Sequence, residues 1–155
     1  MKRAHAATIA WIAALVPAIV MQDAALAQLG VGTWVRQPGP KATVTMTMTV
    51  EACCGDGRRL LYKIGDRGQT MLVESAFDGS DATVLVDGKP STETMAITRI
   101  DAHHTSTVLK VNGKPFGTSK ATLSADGNTL TVENSMPGSA AGTPGGTLTE
   151  IWIRK

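Results

Sequence analysis

Few side chains in this sequence could do chemistry, and the most unusual are two adjacent cysteines, Cys53 and Cys54, within "EACCGD". Thiols can pair, relay electrons or bind a metal, and spacing discriminates among these roles. Consecutive α-carbons lie about 3.8 Å apart, short of the about 4.4 to 6.8 Å that an ordinary disulfide spans. A bond between neighbours is therefore strained and readily reduced. A redox relay wants C-x-x-C at a helix start, and no helical repeat surrounds this pair. Gly55 and Gly57 mark the segment as a turn. The expectation is a vicinal disulfide in that turn, with free or intermolecularly paired thiols, or a redox or metal role, as the alternatives.

The second cluster is "DAHH", which offers Asp101, His103 and His104. Histidine serves as metal ligand or general base, but neighbours on a strand point to opposite faces. Two adjacent histidines converge on one ion only where the strand has already ended. Zinc wants three or four ligands in a recognised spacing, and a Cys-Cys pair followed much later by His-His matches none. A surface turn is expected, with no metal. The glycine-rich run "SMPGSAAGTPGGT", residues 135–147, lacks the Lys-Ser/Thr ending and the strand-to-helix setting of a phosphate loop. Neither a nucleophile elbow nor H-E-x-x-H nor a nucleotide fingerprint occurs. The reading is of a protein that is not an enzyme, with no catalytic residue and no cofactor.

The elements that position these residues begin after a leader. Lys2 and Arg3 precede the apolar run "AATIAWIAALVPAIV", and "ALA" at 25–27 places small residues before a cut. Residues 1–27 read as a secretory signal peptide, cleaved after Ala27, and residues 28–155 as one domain, exported to the periplasm or secreted. An uncleaved anchor would want about 20 apolar residues, whereas Pro17 interrupts this run and Gln22 and Asp23 end it. The residue after the cut is Gln28 and not the cysteine a lipid anchor needs, and no second hydrophobic run could anchor the product in a membrane. The domain carries 13 basic and 12 acidic residues, a net +1. That balance lacks the clustered basic charge a nucleic-acid partner needs.

Along the domain the hydrophobic period is two. In "KATVTMTMTVE", Val44, Met46, Met48 and Val50 share one face, and Thr43, Thr45, Thr47 and Thr49 the other. Further strands read as "RRLLYKIG", "TMLVESAF", a short "TVLV", "ETMAITRID", "TSTVLKV", "FGTSKATLS", "NTLTVEN" and "TLTEIWIRK". Between several of them "DGK" at 87–89, "NGK" at 112–114 and "DGN" at 126–128 supply the positive-φ pairs of tight hairpins. The 135–147 run reads as a loop before the last strand. About eight to ten short strands in up-and-down order hide their edges by closing. The fold expected is all-β, a single antiparallel up-and-down barrel.

Two segments are similar to a known group. "GTW" at Gly32, Thr33 and Trp34 resembles the G-x-W that opens the first strand of lipocalins. The segment from Arg99 to Val132, through Ile100, Asp101, Gly113, Lys114, Gly117, Thr118 and the run Ser124–Val132, resembles small exported bacterial proteins described as lipocalin-like. The resemblance implies that Trp34 plugs one end of the barrel with Arg154 packed over it, and that the interior accepts a small hydrophobic molecule. It brings no assigned activity.

The residues that would line such an interior are Val44, Met46, Met48, Val50, Met71, Val73, Met95, Ile97, Leu109, Leu130 and Val132. Methionine, flexible and polarizable, suits an undemanding pocket. The same side chains could equally fill a small barrel, which has room for little else. Only five aromatics follow the leader: Trp34, Tyr62, Phe77, Phe116 and Trp152. Two readings follow: a binding protein for a small apolar ligand, and a structural or interaction protein with a solid core.

Overall fold

The computed structural model describes residues 29–39, 44–137 and 145–155. The leader read at 1–27, the start at Gln28 and most of the glycine-rich run lie outside the described residues. Ten strands follow one another: β1 Gly32–Arg36, β2 Met46–Cys53, β3 Gly57–Ile64, β4 Gln69–Ser75, β5 Asp78–Val86, β6 Lys89–Arg99, β7 His104–Val111, β8 Lys114–Leu123, β9 Thr129–Met136 and β10 Gly146–Arg154. Each pairs antiparallel with its neighbour in sequence, and β1 pairs with β10 to close the ring. The protein is thus the all-β, up-and-down barrel that its alternation implies, closed around the ring, although β4 and β5 pair only at Met71–Val86 and Leu72–Leu85.

Turn chemistry sets the joints. Asp87 and Gly88 both have positive φ, as do Asn112 and Gly113, and each pair alone separates two strands, as two-residue hairpins require. "DGN" differs. Only Gly127 of that triplet has positive φ, and residues 124–128 form a longer loop in which Ser124 Oγ and Asp126 share a hydrogen bond of 2.5 Å. The strand read as "TVLV" is the end of the nine-residue β5. At the start of β3, Gly57 passes so close to the next corner that a Cβ would lie 2.0 Å from the Ser75 carbonyl oxygen. Only glycine fits there.

The first strong alternation is shorter than the sequence suggests. β2 begins at Met46, opposite Ile64, the last residue of β3. Val44 therefore has no ladder partner; its carbonyl accepts from the Arg36 guanidinium at 2.9 Å, and its side chain is exposed.

Inward side chains near one end pack into a continuous core of Trp34, Val50, Leu60, Val73, Phe77, Val84, Leu123 and Leu130. That end is sealed by residues 29–31, whose three carbonyls are each held by a different strand. Arg58 Nε donates to Leu29 at 3.1 Å, Trp34 Nε1 to Gly30 at 3.3 Å, and an Arg154 terminal nitrogen to Val31 at 2.7 Å.

Candidate ligand cavity

Above that floor the barrel holds an interior cavity of about 240 Å³. Eight of the eleven side chains read from the sequence as lining do line it: Met46, Met48, Met71, Met95, Ile97, Leu109, Leu130 and Val132. Val50 and Val73 do not. Both point inward but sit one step lower on their strands, fully buried in the core. Val44 lies outside altogether, on an open groove of about 720 Å³ formed with the 64–69 turn and Asp87. The groove is larger, but it is bounded mainly by turns.

The wall also carries polar groups that the apolar pattern did not single out. Thr107, Ser119, Asn134, Tyr62 and Glu150 face the cavity. Alternation places them there: Glu150 shares a face of β10 with the buried Trp152, and Arg36 shares a face of β1 with the buried Trp34. Counting by twos from either tryptophan would have found both charges. They form an ion pair at 2.8 Å with side chains only 15% and 17% exposed. The Tyr62 ring meets Trp152 edge-on, centroids 5.9 Å apart. Burial first, and then the Glu150 charge, push the Tyr62 phenol well above its ordinary range.

At the floor, Trp34 is completely buried, as a barrel plug would be. Arg154 is the direct cross-strand partner of Trp34. The guanidinium is drawn to the Val31 carbonyl, and the positions where Gly30 and Gly32 would carry a Cβ lie 3.0 and 3.4 Å from it. Indole and guanidinium grip the same short segment. The Arg99 guanidinium lies over a ring, 5.6 Å from the centroid of Phe77. Phe77 itself, at positive φ beyond the end of β4, is buried like Val73 and Ser75, with which it shares parity.

Cys53 and Cys54 are joined as a vicinal disulfide, α-carbons 3.8 Å apart, where β2 turns into β3. Asp101, His103 and His104 form a turn. One Asp101 oxygen accepts the His103 and His104 backbone N–H groups at 2.7 and 2.9 Å, and the carboxylate also meets His104 Nδ1 at 2.8 Å. These bonds, that from the His103 backbone foremost, hold the Asp101 carboxyl below its usual range. His103 turns away to the Leu123 carbonyl, 3.1 Å from Nδ1. No cluster of three metal-ligating side chains occurs among the described residues.

Barrel and cavity together define a class, that of small closed β-barrels with a lined interior. The chain is similar to a solved structure of that build, an asparagine-to-alanine variant of the fluorescent protein UnaG. The TM-score is 0.61 at 14% sequence identity, and the match covers 82% of this chain and 96% of the other. At that identity the likeness concerns the fold. No family model matches the chain, and no curated protein matches it significantly.

Proposed function

We propose that this chain is an exported, lipocalin-like binding protein that holds a small, largely apolar molecule inside its barrel without chemical turnover. The observation that carries the reading is the interior cavity of about 240 Å³, walled by four methionines and a tryptophan. Concave, mostly apolar spaces with a few placed polar groups are where small ligands bind, and methionines adapt to an occupant's shape. The side chains best suited to general-base work, His103 and His104, lie in the turn at the floor and not on this wall. The likeness in fold to UnaG supports the barrel part of the reading.

A thermal-shift and fluorescence panel of fatty acids, quinones and hydrophobic dyes on the purified protein tests it. An occupant raises the melting temperature with concentration, because it binds the native state alone. A melting temperature indifferent to every compound, with no dye enhancement, overturns the reading in favour of a solid structural barrel. Export is tested by the mass of material recovered outside the cytoplasm, which should begin at Gln28; a product retaining Trp11 contradicts it.

A further inference from the structure

One row on each side of the cavity differs in chemistry from the row opposite, although Leu109, Ala121, Leu130 and Val132 line the second side as well. In the ring of strands, β2, β3 and β4 stand diametrically opposite β7, β8 and β9. On the first arc Met48, Tyr62 and Met71 are direct cross-strand neighbours. On the second, Thr107, Ser119 and Asn134 are direct neighbours in the same way. All six line the cavity.

Glu150 extends the polar side. It pairs across the ladder with Val132, two residues from Asn134 on β9, and faces the same space. One of its oxygens takes the Arg36 guanidinium at 2.8 Å. The other terminal nitrogen of Arg36 is committed to the Val44 carbonyl at 2.9 Å. The cation is thus held to its own carboxylate, while that carboxylate retains lone pairs toward the cavity. The arc of Met48, Tyr62 and Met71 therefore faces Thr107, Ser119 and Asn134, which both donate and accept, beside the Glu150 carboxylate, which only accepts.

We infer, building on the binding reading above, that the occupant is a small molecule apolar on one face that carries an uncharged or cationic hydrogen-bond donor on the other, and that carboxylates are excluded. A hydroxyl, amide or amine gives Glu150 and Asn134 the donor they otherwise take from water. A ligand carboxylate meets Glu150 as a like charge in partly desolvated space and finds Arg36 already engaged. A bare hydrocarbon strips water from these groups and returns no bond. Size bounds the choice as well: a cavity of about 240 Å³ holds on the order of eight water volumes at ~30 Å³ each, which suits a molecule of one or two rings.

Three matched probes separate the terms. Naphthalene, 2-naphthol and 2-naphthoate share a ring system and differ in the group presented to the polar wall. Titrated into the purified protein at neutral pH, 2-naphthol should bind about tenfold or more tightly than 2-naphthoate, and several-fold more tightly than naphthalene. Glu150→Gln removes the like charge and releases Arg36, so 2-naphthoate should gain about tenfold. Because that change breaks an ion pair, Ser119→Ala is a second variant: it should weaken 2-naphthol several-fold and leave naphthalene unchanged. Equal or tighter binding of 2-naphthoate to the unaltered protein, or equal binding of naphthalene and 2-naphthol, overturns this inference and leaves the binding reading standing. Failure of all three probes to bind overturns both.

Discussion

Near the floor of the barrel the inward positions hold Trp34, Val50, Val73 and Phe77, each 6% exposed or less. One step of two residues away on the same strands stand Arg36, Met48 and Met71, and the two methionines line the cavity. Apart from the β4–β5 seam, paired only at Met71–Val86 and Leu72–Leu85, the ladders run through both halves; what differs inside is side-chain shape. Indole, phenyl and β-branched groups are stiff and fill the taper. Methionine, threonine, serine and asparagine on the facing arcs are slender or short, and around this ring they do not meet. The lower half specifies the fold, and the upper half leaves room for function.

The sharpest way to break the comparison is to truncate one side chain from each half. Trp34→Ala removes a fully buried ring whose indole also holds the Gly30 carbonyl, and should cost about 3–5 kcal/mol, much of a small domain's stability. Met95→Ala enlarges a space that already exists and should cost about 1–2 kcal/mol. Chemical denaturation of both variants checks the ordering; equal losses would mean that the upper half is packed as tightly as the floor.

Tyr62 reports on the cavity wall, and it is the only tyrosine in the sequence, so any phenolate signal that appears on titration is its own. Its phenol is pushed up by burial and then by Glu150. A spectroscopic alkaline titration should therefore find phenolate forming above the ordinary value of about 10. The sign for stability follows. Below that ordinary value both states are protonated and nothing changes; above it the unfolded chain ionises first, so stability falls as pH rises. Tyr62→Phe should flatten that alkaline decline. An ordinary midpoint would place the ring in open solvent.

Smaller effects are expected at the seal. Arg154 is exposed apart from its bond to Val31, so Arg154→Ala should cost about 0.5–1.5 kcal/mol. Combined with Trp34→Ala it should fall short of additivity by about 0.5 kcal/mol, because both side chains fix residues 29–31. Strict additivity would show that the segment is not held jointly. Least of all should follow from Cys53→Ser with Cys54→Ser. A disulfide stabilises chiefly by closing a loop in the unfolded chain, and a link between neighbours closes almost none, so the melting temperature should barely move. A large drop would show that the pair does more than shape its turn.

Period two and the Asp-Gly and Asn-Gly turns made the barrel legible in the sequence, because strand formation and hairpin geometry are local. Depth was not legible. Alternation says that Val50 and Val73 face inward, but whether they meet the cavity or the core depends on how the strands stagger around the ring. Val44 was misplaced for a related reason: its alternation continues, yet the partner strand ends at Ile64. The Arg36–Glu150 pair was within reach by parity but hidden by the habit of reading inward positions as apolar. The contacts of Arg58 and Arg154 with residues 29–31 join positions 29 and 123 residues apart, and the second of them depends on closure of the ring.

The central claim is that a small molecule enters the upper half of the barrel, and the methionines offer a direct view of it. Met46, Met48, Met71 and Met95 line the cavity, while Met136 is exposed and does not. With methyl-labelled methionine, titration of 2-naphthol should shift the four cavity resonances along one saturable curve and leave that of Met136 in place. Four unmoved signals at saturating probe, or a shift confined to Met136, would contradict the account.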